Sequence, residues 1–215
     1  MKVGTDGVLL GAWARVGRQV LDIGCGSGLL CLMMAQRLPE ASVTGIDIDH
    51  AAAEQAQENV AASPFASRIS IKWQSLQDFA AAAHTHFDTI VCNPPFFSRS
   101  LTSPDQQRTL ARHTTSLPLD VLFREAARLL TDDGVLNLVF PADRLADLQS
   151  EAAISGLFEC RRCMVRTTPT KPPKRVLIAF SKQRPDALEC SEGTLTDVAG
   201  ARSQWLQELT SDFYL

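Results

Sequence analysis

Residues 93 to 96 read Asn-Pro-Pro-Phe and stop an apolar run, Phe87 to Cys92, with groups suited to holding a planar amine. The Asn93 side chain offers a carbonyl oxygen and Pro94 a main-chain carbonyl, so the pair can accept both hydrogens of one amino group. Pro94 and Pro95 have a fixed φ and no N–H, which ends the strand ladder, leaves no competing donor and holds the carbonyl in place. The nitrogen of an aromatic amine or an amide is a poor nucleophile because its lone pair is delocalised. Drawing its hydrogens onto two fixed acceptors bends it toward tetrahedral geometry and aims the lone pair at an electrophile. Phe96 adds a face on which a flat ring can stack, worth roughly 1 to 3 kcal/mol for a nucleobase. Phe97 is expected in the core or in a lid. The plainer reading of the same four residues is a turn that ends a strand.

A second constellation, "LDIGCGSGLL", places Asp22 at the end of an apolar run and Gly24, Gly26 and Gly28 at the opening of a helical one. Glycines there let the backbone turn tightly and approach a ligand with no Cβ in the way. Asp47 ends the next strand 19 residues after Gly28, where a carboxylate can accept hydrogen bonds from both hydroxyls of a ribose. Ile48, beside it, is counted with the same cofactor-binding set. The third glycine comes one position too early for the dinucleotide fingerprint, and no Walker lysine follows for ATP. Acid-x-Gly-x-Gly-x-Gly is the S-adenosylmethionine pattern, and the sulfonium methyl of that cofactor is an electrophile an amine can attack in line.

These residues must be positioned by a parallel sheet, because short β-branched runs alternate with longer helical patterns along the chain. Strands are predicted at 19–23, 42–47, 69–73, 87–92, 135–140, 158–166 and 175–181, and helices at 6–14, 28–37, 50–61, 76–83, 119–130, 143–155 and 202–212. The connection "TTPTKPP" is too short for a crossover helix, so the last two strands must pair antiparallel. The expectation is an α/β, Rossmann-like fold in a single domain over residues 1–215, with one core.

Composition excludes several classes. The 45% hydrophobic and 21% charged residues are those of an ordinary globular chain. The longest apolar runs fall short of the roughly 20 residues that span a bilayer. With no signal-peptide pattern at the start, a cytoplasmic location and no membrane partner are expected. Cys160 and Cys163 form a C-x-x-C, but no second pair or matching histidines accompany it, so no metal is expected and the six cysteines, mostly inside apolar segments, read as free structural thiols. A net charge of −3 argues against coating nucleic acid by charge alone. Yet from Cys160 to Pro185 there are eight basic residues and no acidic one. That segment is either a solvated hairpin or a phosphate contact. The sequence leaves the oligomeric state open, with a monomer the simpler expectation.

The acid-glycine loop, the acid ending the second strand and "CNPPFF" ending the fourth resemble the class I adenine-amino methyltransferases. Over nearly the whole chain the resemblance is closest to the bacterial enzymes that methylate the exocyclic N6 amine of the adenine beside the anticodon of a valine tRNA. The stretches that carry it are "MKVGTDGVLLGAWA", "AQENV", "CNPPFF", "ARHTTSL", "KRVLIAFS" and "SQWLQELTSDFYL". It implies a seven-stranded sheet in the order 3-2-1-4-5-7-6, with Thr5 and Asp6 helping to hold the methionine end of the cofactor. Where many such enzymes place an acid against the cofactor adenine, this chain has Gln74-Ser75-Leu76. Ser75 and Leu76 are the residues expected there. No general base is required, since the methylated aminium loses its proton to water once the neutral thioether leaves.

Under that resemblance the partner is tRNA, and Arg112, His113, Lys171, Lys174 and Arg175, together with Arg99 and Arg108, are the candidate RNA contacts. Related tetrapeptides also serve enzymes that methylate a glutamine amide in peptide-release factors, or a base in DNA or another RNA. Those enzymes carry extra helical or target-recognition domains for which this chain has no room. A cofactor-binding subunit without activity is a third reading, though such proteins tend to lose the Asn-Pro-Pro acceptors that are intact here.

Overall fold

Hydrophobic side chains on both sides of most strands call for helices on both faces of a sheet, and the fold supplies them. The structure, a computed structural model, describes residues 4–15, 17–94 and 117–213. Among the described residues eight strands form one sheet: β1 Gln19–Ile23, β2 Ser42–Asp47, β3 Ile69–Trp73, β4 Phe87–Cys92, β5 Leu130–Pro141, β6 Phe158–Arg166, β7 Pro173–Ser181 and β8 Glu189–Thr194. Their order is β3-β2-β1-β4-β5-β7-β6-β8. β7 runs against both β5 and β6, while every other ladder is parallel.

The helices are α1 Thr5–Trp13, α2 Leu29–Arg37, α3 His50–Ala61, α4 Leu76–Ala82, α5 Leu119–Leu129, α6 Leu145–Ile154 and α7 Gln204–Leu209. Alternation along the strands sends Leu21, Ile23, Ile90 and Leu138 to one face, with Phe79 of α4, Phe123 of α5 and Leu148 of α6. Val20, Val43, Val91 and Val139 go to the other, with Leu9 and Trp13 of α1, Met34 of α2 and Val60 of α3. Phe123 meets Phe180 edge to face at 5.2 Å across the first of these cores.

Seven of the eight strands stand where the sequence predicts, in the expected order. The eighth is an addition: β8 pairs parallel to β6 at the edge of the sheet, and its first four residues are exposed. Its backbone ladder with β6 and the Trp205 ring over Gly193 hold it, with exposed ion pairs along the edge. Glu189 lies opposite Arg161 and accepts its Nε at 2.8 Å, and Glu192 pairs with Arg166 at 3.3 Å. β5 also starts five residues before the predicted Val135, because "TDDG" forms an irregularity where the register shifts between Phe87 and Thr89.

Candidate active site

The cofactor loop is built by three glycines in the left-handed region, Gly24 at φ 70°, Gly26 at φ 55° and Gly28 at φ 80°. Side chains would strain all three. Main-chain N–H groups of Gly24 and Cys25 donate to the Ile46 carbonyl at 2.9 and 3.0 Å, which fixes the loop to the carboxyl end of β2. Asn59 of α3 donates to the Ser27 carbonyl at 2.9 Å and secures it from the other side. A Cβ on Gly24 would project into open space, so the loop presents bare backbone.

Asp47 closes this frame. One of its oxygens accepts the Gly26 N–H at 2.8 Å and the other the Asp49 N–H at 2.9 Å. An ionised carboxylate has about four acceptor sites, so two remain for ribose hydroxyls. Ile48 beside it is 56% exposed, and Trp73, at the end of β3, is 62% exposed. The Trp73 indole N–H donates to the Ile48 carbonyl at 3.0 Å, and its ring stands edge-on to His50. Exposed, oriented apolar groups at the strand ends are a wall for a flat ring. Nothing in the sequence singles out Trp73 except its place at the end of a strand.

Asp22 is fully buried. Its Oδ2 accepts the Cys31 thiol at 3.2 Å, and its Oδ1 has no hydrogen-bond partner among the described residues. Burial lifts its pKa from 3.8 to about 7, the thiol hydrogen bond opposes this, and the Asp47 charge adds to it. The Cys31 thiol is itself pushed well up, by its contact with Cys25, by burial and by Asp22. An orphaned carboxyl oxygen behind an open glycine loop, next to a ribose-type acid, suits a ligand that carries both a further polar group and a nucleoside. S-adenosylmethionine meets that description.

Ser75 caps α4: its hydroxyl accepts the Asp78 N–H at 3.1 Å and donates to the Asp78 carboxylate at 2.6 Å. That leaves it a single lone pair for any ligand. Ser-x-x-Asp is a capping signal readable in the sequence, but it draws no attention to a site. Leu76 is buried in the core beneath.

Asn93 and Pro94 follow β4 at the same carboxyl end, between β1 and β5. Pro95, Phe96, Arg99, Arg108, Arg112 and His113 lie outside the described residues. Thr5 and Asp6 begin α1, whose first turn approaches Asn93: a Cβ on Gly7 would lie 3.9 Å from the Asn93 side-chain nitrogen. β6 runs parallel to β4, so the turn carrying Lys171 and the start of β7 with Lys174 and Arg175 share that end. Lys171 and Lys174 are exposed. Arg175 instead donates to Asp6 at 2.8 Å. Much of the basic run is internally matched, since Arg161, Arg162, Arg166 and Lys182 also have carboxylates within 3.8 Å.

Comparison with known proteins agrees with this geometry. A family model described as the methyltransferase small domain matches residues 4–168. The chain belongs to that family. A protein of Porphyromonas gingivalis named tRNA1(Val) (adenine(37)-N6)-methyltransferase is 46% identical, over 100% of this chain and 89% of its own length. One of the same name from Bacteroides thetaiotaomicron is 44% identical, over 100% and 91%. Among solved structures, a predicted O-methyltransferase of Agrobacterium tumefaciens superposes with a TM-score of 0.75 over 97% of this chain and 96% of that one. At 19% identity that likeness speaks for the methyltransferase fold. Among the described residues no group of three or more His, Cys, Asp or Glu is placed to hold a metal ion, and no helix is long and apolar enough to cross a membrane.

Proposed function

We propose that this chain methylates the exocyclic N6 amine of an adenine in tRNA, the adenine beside the anticodon of a valine tRNA, and that it works as one domain. The observation that carries the reading is the common carboxyl edge at which the Gly24–Gly28 loop, Asp47 and Asn93 lie. Whole-length relatives at 44 to 46% identity bear the name of that reaction.

When bound, S-adenosylmethionine supplies an activated methyl group on sulfur. Asp47 would accept the ribose hydroxyls, the exposed Ile48 and Trp73 would border the adenine, and the backbone of the glycine loop would take up the rest of the cofactor. Asp22, with its unpaired oxygen, would serve the methionine end, as would Thr5 and Asp6. The Asn93 side-chain carbonyl and the Pro94 main-chain carbonyl accept the two hydrogens of the target amine and turn its lone pair toward the methyl group. Phe96 stacks on the target base, which is cheap to extrude from a single-stranded loop. Lys171 and Lys174, with Arg112 and His113, meet phosphates around it.

The test is transfer of a tritiated methyl group by the purified chain to total RNA, DNA and protein in parallel. Label in RNA, recovered as N6-methyladenosine, is expected. Label in protein would move the assignment to a glutamine amide, and label in none of the three would point to a subunit without activity.

A further inference from the structure

Arg175 belongs by sequence to the basic hairpin, but its position in the fold gives it a different task. It lies at the start of β7, opposite Pro141 at the end of β5, and therefore on the carboxyl edge of the sheet. Its Nε donates to Asp6 Oδ2 at 2.8 Å and one terminal nitrogen donates to the Lys174 carbonyl at 3.1 Å. Both partners of the Arg175–Asp6 pair are partly buried, which strengthens the attraction relative to an exposed pair.

Asp6 sits in the first turn of α1, and among the described residues that turn has no side-chain hydrogen bond at its N-cap, Gly4. The next residue, Gly7, packs so closely that a Cβ there would come within 3.1 Å of Leu29 and 3.9 Å of Asn93. Leu29 opens α2 directly after Gly28, so a displacement of this turn by an ångström would be felt at the cofactor loop.

We infer that Arg175 is a positioning residue for methyl transfer: through its ion pair with Asp6 it holds the first turn of α1 against Leu29, the residue that follows the Gly24–Gly28 loop, and its guanidinium is not a phosphate contact. The inference rests on the methyl-transfer reading above. It assigns the hairpin two separate roles, with Lys171 and Lys174 facing RNA and Arg175 facing inward.

The experiment is a double-mutant cycle of Arg175→Gln and Asp6→Asn, read by calorimetry of S-adenosylmethionine binding, by the salt dependence of RNA binding, and by kcat and KM. For Arg175→Gln we expect donor binding to weaken about tenfold, as for loss of one charge-assisted hydrogen bond network. In the Asp6→Asn background the same change should cost nothing further. The RNA salt slope should be unchanged, and Arg175→Lys should recover part of the donor affinity.

Equal losses in both backgrounds, with a salt slope flatter by about 0.7, would show a phosphate contact and overturn the inference. A lower melting temperature with unchanged donor affinity, kcat and KM would show a purely structural ion pair and also overturn it. Binding and salt slope need no turnover, so a chain that transfers no methyl to RNA would refute the proposed function and still leave the role of Arg175 decided.

Discussion

Replacing Asp22 with asparagine should change how stability depends on pH, by an amount that follows from its surroundings. In the folded chain the Asp22 carboxyl is held at about 7 instead of 3.8, chiefly by burial. The folded protein thus keeps a proton that the unfolded chain releases. Below 3.8 both states are protonated and no penalty applies. As the pH rises toward 7 only the unfolded chain has ionised, so stability falls, and above about 7 the full penalty is present. The gap corresponds to about 4 kcal/mol. The substituted amide side chain would be neutral throughout, and its carbonyl can still accept the Cys31 thiol. Its nitrogen takes the place of the unpartnered oxygen, a pH-independent cost of about 1 to 3 kcal/mol. Urea unfolding from about pH 4.5 to about pH 8.5 measures the difference. Stability of Asp22→Asn relative to wild type should rise by about 1.4 kcal/mol per pH unit up to about pH 7 and then level off. Parallel profiles for the two proteins would refute the argument that burial leaves this carboxyl protonated.

Two further outcomes follow from the site. Asp47→Ala removes the acceptor for the Gly26 and Asp49 N–H groups as well as for the ribose, so S-adenosylmethionine binding should weaken by roughly 2 kcal/mol or more by calorimetry; unchanged affinity would move the ribose elsewhere. Changing Lys171 and Lys174 together to glutamine should flatten the slope of log RNA affinity against log salt by about 1.4 for single-stranded RNA, while donor binding stays constant. An unaltered slope with full activity would make both lysines solvated surface.

The parallel part of the sheet was legible because its strands are buried on both faces. Valine, isoleucine and leucine recur through 19–23, 42–47 and 87–92, and helix boundaries such as His50–Ala61 carry a capping aspartate ahead of them. β8 was not, because "ECSEGT" has no apolar alternation; its acids Glu189 and Glu192 meet Arg161 and Arg166 only once the ladder has formed. Those pairings also explain why a run of eight cations reads as an RNA-facing patch in the sequence and is largely matched in the fold. The Arg175 pairing with Asp6 spans 169 residues of chain, a separation over which composition and spacing carry no signal. The three glycines were legible because their positive φ fixes their type, and Asp22 and Asp47 stand near the ends of β1 and β2, where the spacing puts them. The single lone pair left on Ser75 was not, because it depends on where Asp78 turns its carboxylate.

The central claim is that Asn93 acts on the target amine and not on the cofactor. The most direct measurement compares wild type and Asn93→Ala for N6-methyladenosine formed in unmodified valine tRNA, by mass spectrometry of the digested nucleosides, alongside calorimetry of S-adenosylmethionine binding. The account predicts that the methylated nucleoside disappears while cofactor affinity stays within a few-fold. Retention of most of the turnover by Asn93→Ala would contradict it.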